Sequence, residues 1–235
     1  MTTIEDWTRR IGALLAKAES TEFDDEREAL LEKAQSLMSR HAIDEAMLGQ
    51  SAGNRSELIR SDVSIDAPYA SAKALLMSAV ALTNRCRAVE TPGPPCIVTL
   101  VGHRGEVQRT TVMFTSLSLH ATRSLLATPV PLGDAPRRFR HAFLIAFAFR
   151  IGERLRAIAA TAEAAASRET GAGVALVLRA RSEAVDEMFR LEFPNVRNAA
   201  SPRVSSRAGI VAGARAADGA SLHAPVVAGP PSIAP

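Results

Sequence analysis

Phe139, Phe143, Phe147, Ile151 and Leu155 follow one another at four-residue steps, and Leu144, Ile145, Ala148 and Phe149 make the middle of the same stretch apolar on nearly every side. A helix written this way has no face to offer water. It must be wrapped by other elements, so the fold is built around it. The pattern predicts a helix from Arg137 to about Ser167. Five of the eight phenylalanines fall between residues 114 and 149, which concentrates the large hydrophobic surface here.

The segments available to wrap it are helices and short strands. Ser71 to Asn84 reads as a helix with Ala74, Met77, Val80 and Ala81 for packing. Cys86 to Val89 and Cys96 to Val101 are rich in branched residues and flank Thr91-Pro-Gly-Pro-Pro95, which predicts a β-hairpin with a loop of five or six residues. Glu106 to Leu126 carries Val107, Phe114, Leu117, Ala121 and Leu125 in helical register. Thr128 to Pro136 is a proline-rich loop. After Gly171 and Gly173, Val174 to Leu178 reads as a third strand. Ser182 then caps a helix ending at Phe193-Pro194, and Arg203 to Ala217 forms one more. Gly209-x-x-x-Gly213 within it permits close helix packing.

The first fifty residues read as a helical hairpin. Ile4, Trp7, Ile11, Leu14 and Ala18 recur at alternating steps of three and four, with Leu15 widening the stripe. Ser20-Thr21 and the acids Glu22, Asp24, Asp25 and Glu26 mark a second helix start. That helix carries Leu30, Ala34, Leu37 and Met38 and is expected to end around Arg40-His41, with a further short turn from Asp44 to Leu48. Two such helices cannot bury both stripes alone, so they dock on the body or on a partner. Gly49 to Ser56 is a flexible linker by composition.

The segments "IGALLAKAEST" from Ile11 and Glu28-Ala, Lys33-Ala-Gln, Leu37-Met38 with His41 and Ile43 resemble a short N-terminal domain of bacterial and phage proteins, domain of unknown function twenty-seven eighty-six. Val98 to Gly102, Phe143 to Phe147 with Arg150 to Leu155, and Ala175 to Arg179 resemble the longer domain that often follows it. The resemblance implies a compact fold and no activity, so it supplies no catalytic residue.

Charge is unevenly placed: residues 1–66 hold 8 Lys+Arg against 14 Asp+Glu, and residues 67–235 hold 20 against 11. The basic body suits a polyanion. A plainer account is coding bias, since only three of the 28 cations are lysine and alanine is abundant. Arg137, Arg138, Arg140 and His141 would form a basic collar at the start of the long helix, where cations oppose the helix dipole. Such a collar points to an acidic partner, either a phosphate backbone or the acidic hairpin. Arg150, Arg154 and Arg156 follow on the same helix, and Arg203, Arg207 and Arg215 extend the surface near the tail.

His103 and Arg104, entering a helix with Glu106, make a candidate anion site, because a strand-to-helix turn exposes side chains and aims amides outward. The plainer reading there is a solvated His103 and a Glu106 that complements the dipole. Cys86 and Cys96 belong to no CxxC pair and have one nearby histidine, so they read as buried, inert thiols rather than metal ligands. No acid pair, Ser-His-Asp order or HExxH helix is present, and the residues name no cofactor and no metal.

These observations predict an α+β, mostly helical fold: an N-terminal helical hairpin (1–50), a linker (51–66), a body (67–217) with a small antiparallel sheet of about three strands covered by helices, and a disordered tail (218–235). The 47% apolar content excludes wholesale disorder, and the longest apolar run, Ala142 to Phe149, is far too short for a membrane span. A soluble, cytoplasmic protein is expected. The leading functional expectation is a non-catalytic binding protein that contacts nucleic acid, or a nucleic-acid-handling complex, through arginines. The second is a protein–protein or homo-oligomerising module docking through the hairpin. The third is an enzyme with its site at His103 and Glu106.

Overall fold

The computed structural model describes residues 4–21, 23–51, 57–170, 173–197 and 202–219. The elements are α1 (Ile4–Ser20), α2 (Asp24–Ser51), β1 (Leu58–Ile65), α3 (Ala70–Thr83), β2 (Arg87–Thr91), β3 (Cys96–His103), α4 (Arg104–Ala127), α5 (Pro136–Thr170), α6 (Gly173–Glu192) and α7 (Arg207–Gly219). The fold is α+β and mostly helical, with the N-terminal hairpin α1–α2 and one three-stranded antiparallel sheet of order β1-β3-β2 among the described residues.

Helix α5, 35 residues long, is the axis of the molecule, touched by α2, α3, α4, α6 and α7. Phe143, Phe147, Ile151 and Leu155 are fully buried, and Phe139 nearly so. This is the outcome the four-residue spacing demands: from Phe139 to Leu155 each turn places a large apolar side chain against a neighbour, although Phe149 in the same stretch is 51% exposed. From Ile11 onward, the described part of the hairpin's stripes is covered by the chain's own body. Ile11, Leu15 and Ala18 of α1 and Leu31, Ala34 and Met38 of α2 join one core with Phe114 and Leu117 of α4 and Phe147 of α5. Farther along α2, Ile43 and Ala46 pack with Ala166 of α5 and Val174, Val177 and Leu178 of α6.

Several local expectations change. Helix α2 does not stop at Arg40-His41 but runs on to Ser51. No proline or glycine interrupts residues 40–48, and His41, Ala42, Ile43 and Ala46 are all buried, so tertiary packing carries the helix through.

The third strand is Leu58–Ile65, inside the span expected to be linker, and Val174–Leu178 is helical. Leu58 to Ile65 alternates across the sheet and pairs with β3 along its whole length. Val174, Val177, Leu178 and Val185 are the buried positions of α6, a helical rather than an alternating spacing. The expected linker residues 52–56 and tail residues 220–235 lie outside the described residues, while Asp218 and Gly219 close α7. Gly171 lies outside the described residues, and Gly173 begins α6.

Between β2 and β3 the last paired residues, Thr91 and Ile97, enclose five residues, with Glu90 opposite Val98 and Arg87 opposite Val101. Cys86 therefore lies beside Gly102, where a Cβ would meet its Sγ at 2.6 Å. Only glycine leaves room there for the sulfur. Finally, no turn separates β3 from α4: the strand ends at His103 and the helix begins at Arg104.

Candidate functional site

Two groups of charged side chains stand out, and they differ in every physical respect. The first is buried. Because β3 runs directly into α4, His103 is 5% exposed and Glu106 is fully buried, rather than displayed on a turn. The expected anion site at His103 and Arg104 is therefore not assembled. Arg104 points outward and is taken by Glu57, whose carboxylate accepts from Nε at 2.9 Å and Nη2 at 2.6 Å.

Glu106 belongs instead to a charged knot joining three helices. From α2 come His41 and Glu45, one turn apart; from α4 come Glu106 and Arg109; from α6 comes Arg181. Arg109 Nη1 lies 3.0 Å from His41 Nδ1 and donates to Glu45 Oε2 at 3.3 Å. Arg181 Nη2 donates to Glu106 Oε1 at 3.3 Å and sits 3.9 Å from Glu45 Oε1. Arg109 Nε and Nη2, Arg181 Nε and Glu106 Oε2 have no hydrogen-bond partner among the described residues. Burial, reinforced by the Arg109 charge, lowers the His41 pKa below its ordinary value, while Glu45 and Asp44 pull the other way.

Nothing local in the sequence announces this knot. The i,i+4 pair His41–Glu45 and the i,i+3 pair Glu106–Arg109 are visible as spacings, but Arg181 meets them only through the fold. Cys86 borders it: Thr110 Oγ1 lies 3.7 Å from its Sγ, and burial, with the Glu106 charge, pushes its pKa up to about 12. Burial and Glu90 likewise raise the Cys96 pKa. Both cysteines are free and buried, and among the described residues no cluster of three His, Cys, Asp or Glu could hold a metal ion. What the knot does chemically is hold opposite charges together across the seam between hairpin and body.

The second group is exposed. Gly209 of α7 lies against the Phe139 carbonyl and Ala142, and Gly213 lies against the backbone of Phe143. Farther along, Arg154 donates to the carbonyls of Ala217 and Asp218. Helices α5 and α7 therefore run parallel and start at the same end of the molecule. The Gly209-x-x-x-Gly213 spacing is what lets the two backbones touch.

Seven of the arginines expected to form one surface, Arg137, Arg138, Arg140, Arg150, Arg154, Arg203 and Arg207, are divided by this pairing. Arg154 is 7% exposed and its guanidinium caps the C-terminal carbonyls of α7, while Arg150 is held by Asp218 at 2.5 Å and Glu153 at 3.0 Å. Arg154 is thus an internal fixture, and Arg150, though exposed, is paired within the chain. Arg137, Arg138 and Arg140 at the start of α5, with Arg203 and Arg207 at the start of α7, are all exposed. No ion pair within the described residues engages these five. Ser206 caps α7, accepting the Gly209 N–H at 2.9 Å and donating to Asp134. The acidic hairpin meets the other end of α5, where Arg40 of α2 pairs with Glu169 at 2.7 Å.

Against known proteins, a family model described as "Protein of unknown function (DUF2786)" matches residues 8–45. The chain is thus similar to that family over α1 and most of α2, a stretch that closes at Glu45, the acid of the buried knot. No curated protein and no solved structure matches the chain. No described helix is long and apolar enough to cross a membrane.

Proposed function

We propose that this chain is a binding protein whose partner is the phosphate backbone of a nucleic acid, held at the shared N-terminal end of α5 and α7. One observation carries the reading: Arg137, Arg138, Arg140, Arg203 and Arg207 are exposed there without an ion pair among the described residues. The positive ends of two parallel helix dipoles lie at the same place, so each cation is locally unfavourable by about 0.3–1 kcal/mol in the absence of an external anion. Two helix N-termini and five guanidinium groups gathered at one end suit a polyanion better than a single carboxylate. Arginine also matches phosphate oxygens with two parallel donors.

Contacts of this kind position a backbone and do not read bases, so binding is indifferent to sequence and steeply weakened by salt. Neutralising five phosphates gives a log–log salt slope of roughly −4 to −5 on duplex DNA. Fluorescence anisotropy with labelled DNA across a salt series tests this. No binding at low salt, or binding with a flat slope, overturns the proposal. The alternative of a self-assembly module docking through the hairpin has less support, because among the described residues the hairpin's apolar stripe from Ile11 onward is already covered by α4, α5 and α6. Light scattering distinguishes the two.

A further inference from the structure

A groove of about 800 Å³ opens beside the basic end, between α3, β2, the first turns of α5 and the end of α6. That volume lies within the range of roughly 300–1,000 Å³ typical of sites that enclose an organic ligand. Its walls are largely apolar: Leu75 and Leu82 from α3, Val89 from β2, Ile145 from α5 and Phe189 from α6. Leu82 and Val196, both groove-lining, are about half exposed and so present apolar surface to whatever enters.

Polar residues line the groove too: His141 from α5, and Arg197, with Pro202 nearby in sequence before α7. Helical spacing sets Arg137 and Arg138 one turn from His141 on the same face of α5, and Arg203 follows Pro202 directly. The cations of the proposed phosphate surface therefore run to the lip of an apolar slot. Of the charged residues lining it, Arg87 is already engaged by Asp186 at 2.5 Å, and Glu90, Arg190 and Arg197 line it as well. The ligand chemistry this layout recognises is an anionic backbone joined at close spacing to flat, weakly polar rings.

From this juxtaposition we infer that the nucleic acid bound is single-stranded, with phosphates on the arginines of α5 and α7 and unstacked bases entering the groove. The inference rests on the phosphate-binding reading above. A duplex keeps its bases stacked inside and presents only backbone, so it engages the arginines and leaves the groove empty. A single strand has lower charge density and would bind more weakly by electrostatics alone. Base contacts reverse that order, because stacking and apolar burial contribute per base.

The test uses the full chain with a labelled oligothymidylate and a duplex of the same length, at one low salt concentration. The single strand is expected to bind at least about tenfold more tightly. Leu82→Gln, at a half-exposed helical position, is expected to weaken the single strand about fivefold and leave the duplex unchanged; Ser71→Trp, which fills the slot from the exposed start of α3, should do the same. Equal or tighter duplex binding, or single-strand binding insensitive to both variants, overturns the inference and leaves the phosphate-binding proposal standing. Displacement of the oligonucleotide by equimolar thymidylate assigns the slot to a free nucleotide and overturns the strand. If neither nucleic acid binds, both proposals fall together.

Discussion

Arginine serves two opposite purposes at the two ends of this molecule. In the knot, Arg109 is buried and Arg181 largely covered among Glu45, Glu106 and His41, and their charge is spent inside the chain. At the start of α5 and α7, Arg137, Arg138, Arg140, Arg203 and Arg207 face outward, unpaired within the described residues. The same side chain, in one GC-flavoured composition, is structural where carboxylates from other helices reach it and available where none do. A high isoelectric point therefore says little until the fold has sorted the cations. Arg150 and Arg154 make the point on a single helix: two to four turns beyond Arg140, they are taken up by the C-terminus of α7.

The sharpest way to break this contrast is to remove one member of the knot. Glu106→Ala leaves Arg181 buried without its nearest carboxylate, and breaking a buried pair from one side costs about 3–5 kcal/mol. Chemical denaturation should show a loss of that size. The double variant Glu106→Leu with Arg181→Met removes both charges and keeps the volume, so most of the stability should return. If the losses simply add, the two side chains do not act as a pair and the knot is not the seam holding α4 to α6.

A smaller effect is expected where α7 meets α5. Gly213→Ala drives a Cβ into the Phe143 backbone, and backbone cannot yield as a flexible side chain can. Overpacking of this kind costs about 1–3 kcal/mol, read as a lowered melting temperature. It also loosens the end carrying Arg207, so DNA affinity should fall with it. Unchanged affinity in a destabilised Gly213→Ala protein would separate α7 from the binding surface.

Much of this architecture was legible in the sequence, and the failures have physical causes. The α5 core, the α1 stripe and the packed face of α4 were readable because one periodicity decided each. Residues 174–178 misled because a short branched run fits strand or helix alike; the helical spacing of Val174, Val177, Leu178 and Val185 settled it only with a partner in place. Strand β1 was hidden by its polar residues: Arg60, Asp62 and Ser64 on its other face resemble a linker when the sheet is unseen. The knot was illegible since Arg181 lies 75 residues from Glu106 in sequence. At the basic end, the arginines were visible, but their division into bound and exposed sets depends on α7 running parallel to α5.

Acidification should probe the knot more gently. In the fold, burial and Arg109 hold the His41 pKa below its ordinary 6.5, so the unfolded chain takes up the proton first as pH falls. Stability is therefore full above the unfolded pKa and declines as pH drops from about 6.5 through the lowered folded value. Asp44 and Glu45 oppose this trend, and Arg109 reinforces it. His41→Gln keeps an acceptor for Arg109 and removes the titration, so its stability should fall less steeply over the same window. Parallel pH profiles for the two proteins would show that His41 does not sense acid from within the knot.

The smallest effect on the fold belongs to the exposed end, and there it is the most diagnostic. Arg138→Gln removes a solvent-facing charge that opposes the α5 dipole, so stability should stay within about 0.5 kcal/mol, or rise slightly. Its effect on DNA binding should be quite different: with one phosphate fewer neutralised, the log–log salt slope should become shallower by about 0.7–0.9. Arg150→Gln, one helix face and several turns away, breaks the Asp218 and Glu153 pairs and should leave that slope unchanged. A change in slope for Arg150→Gln and none for Arg138→Gln would invert the division between structural and available arginines, because only a cation that trades counterions for phosphates can alter the salt exponent.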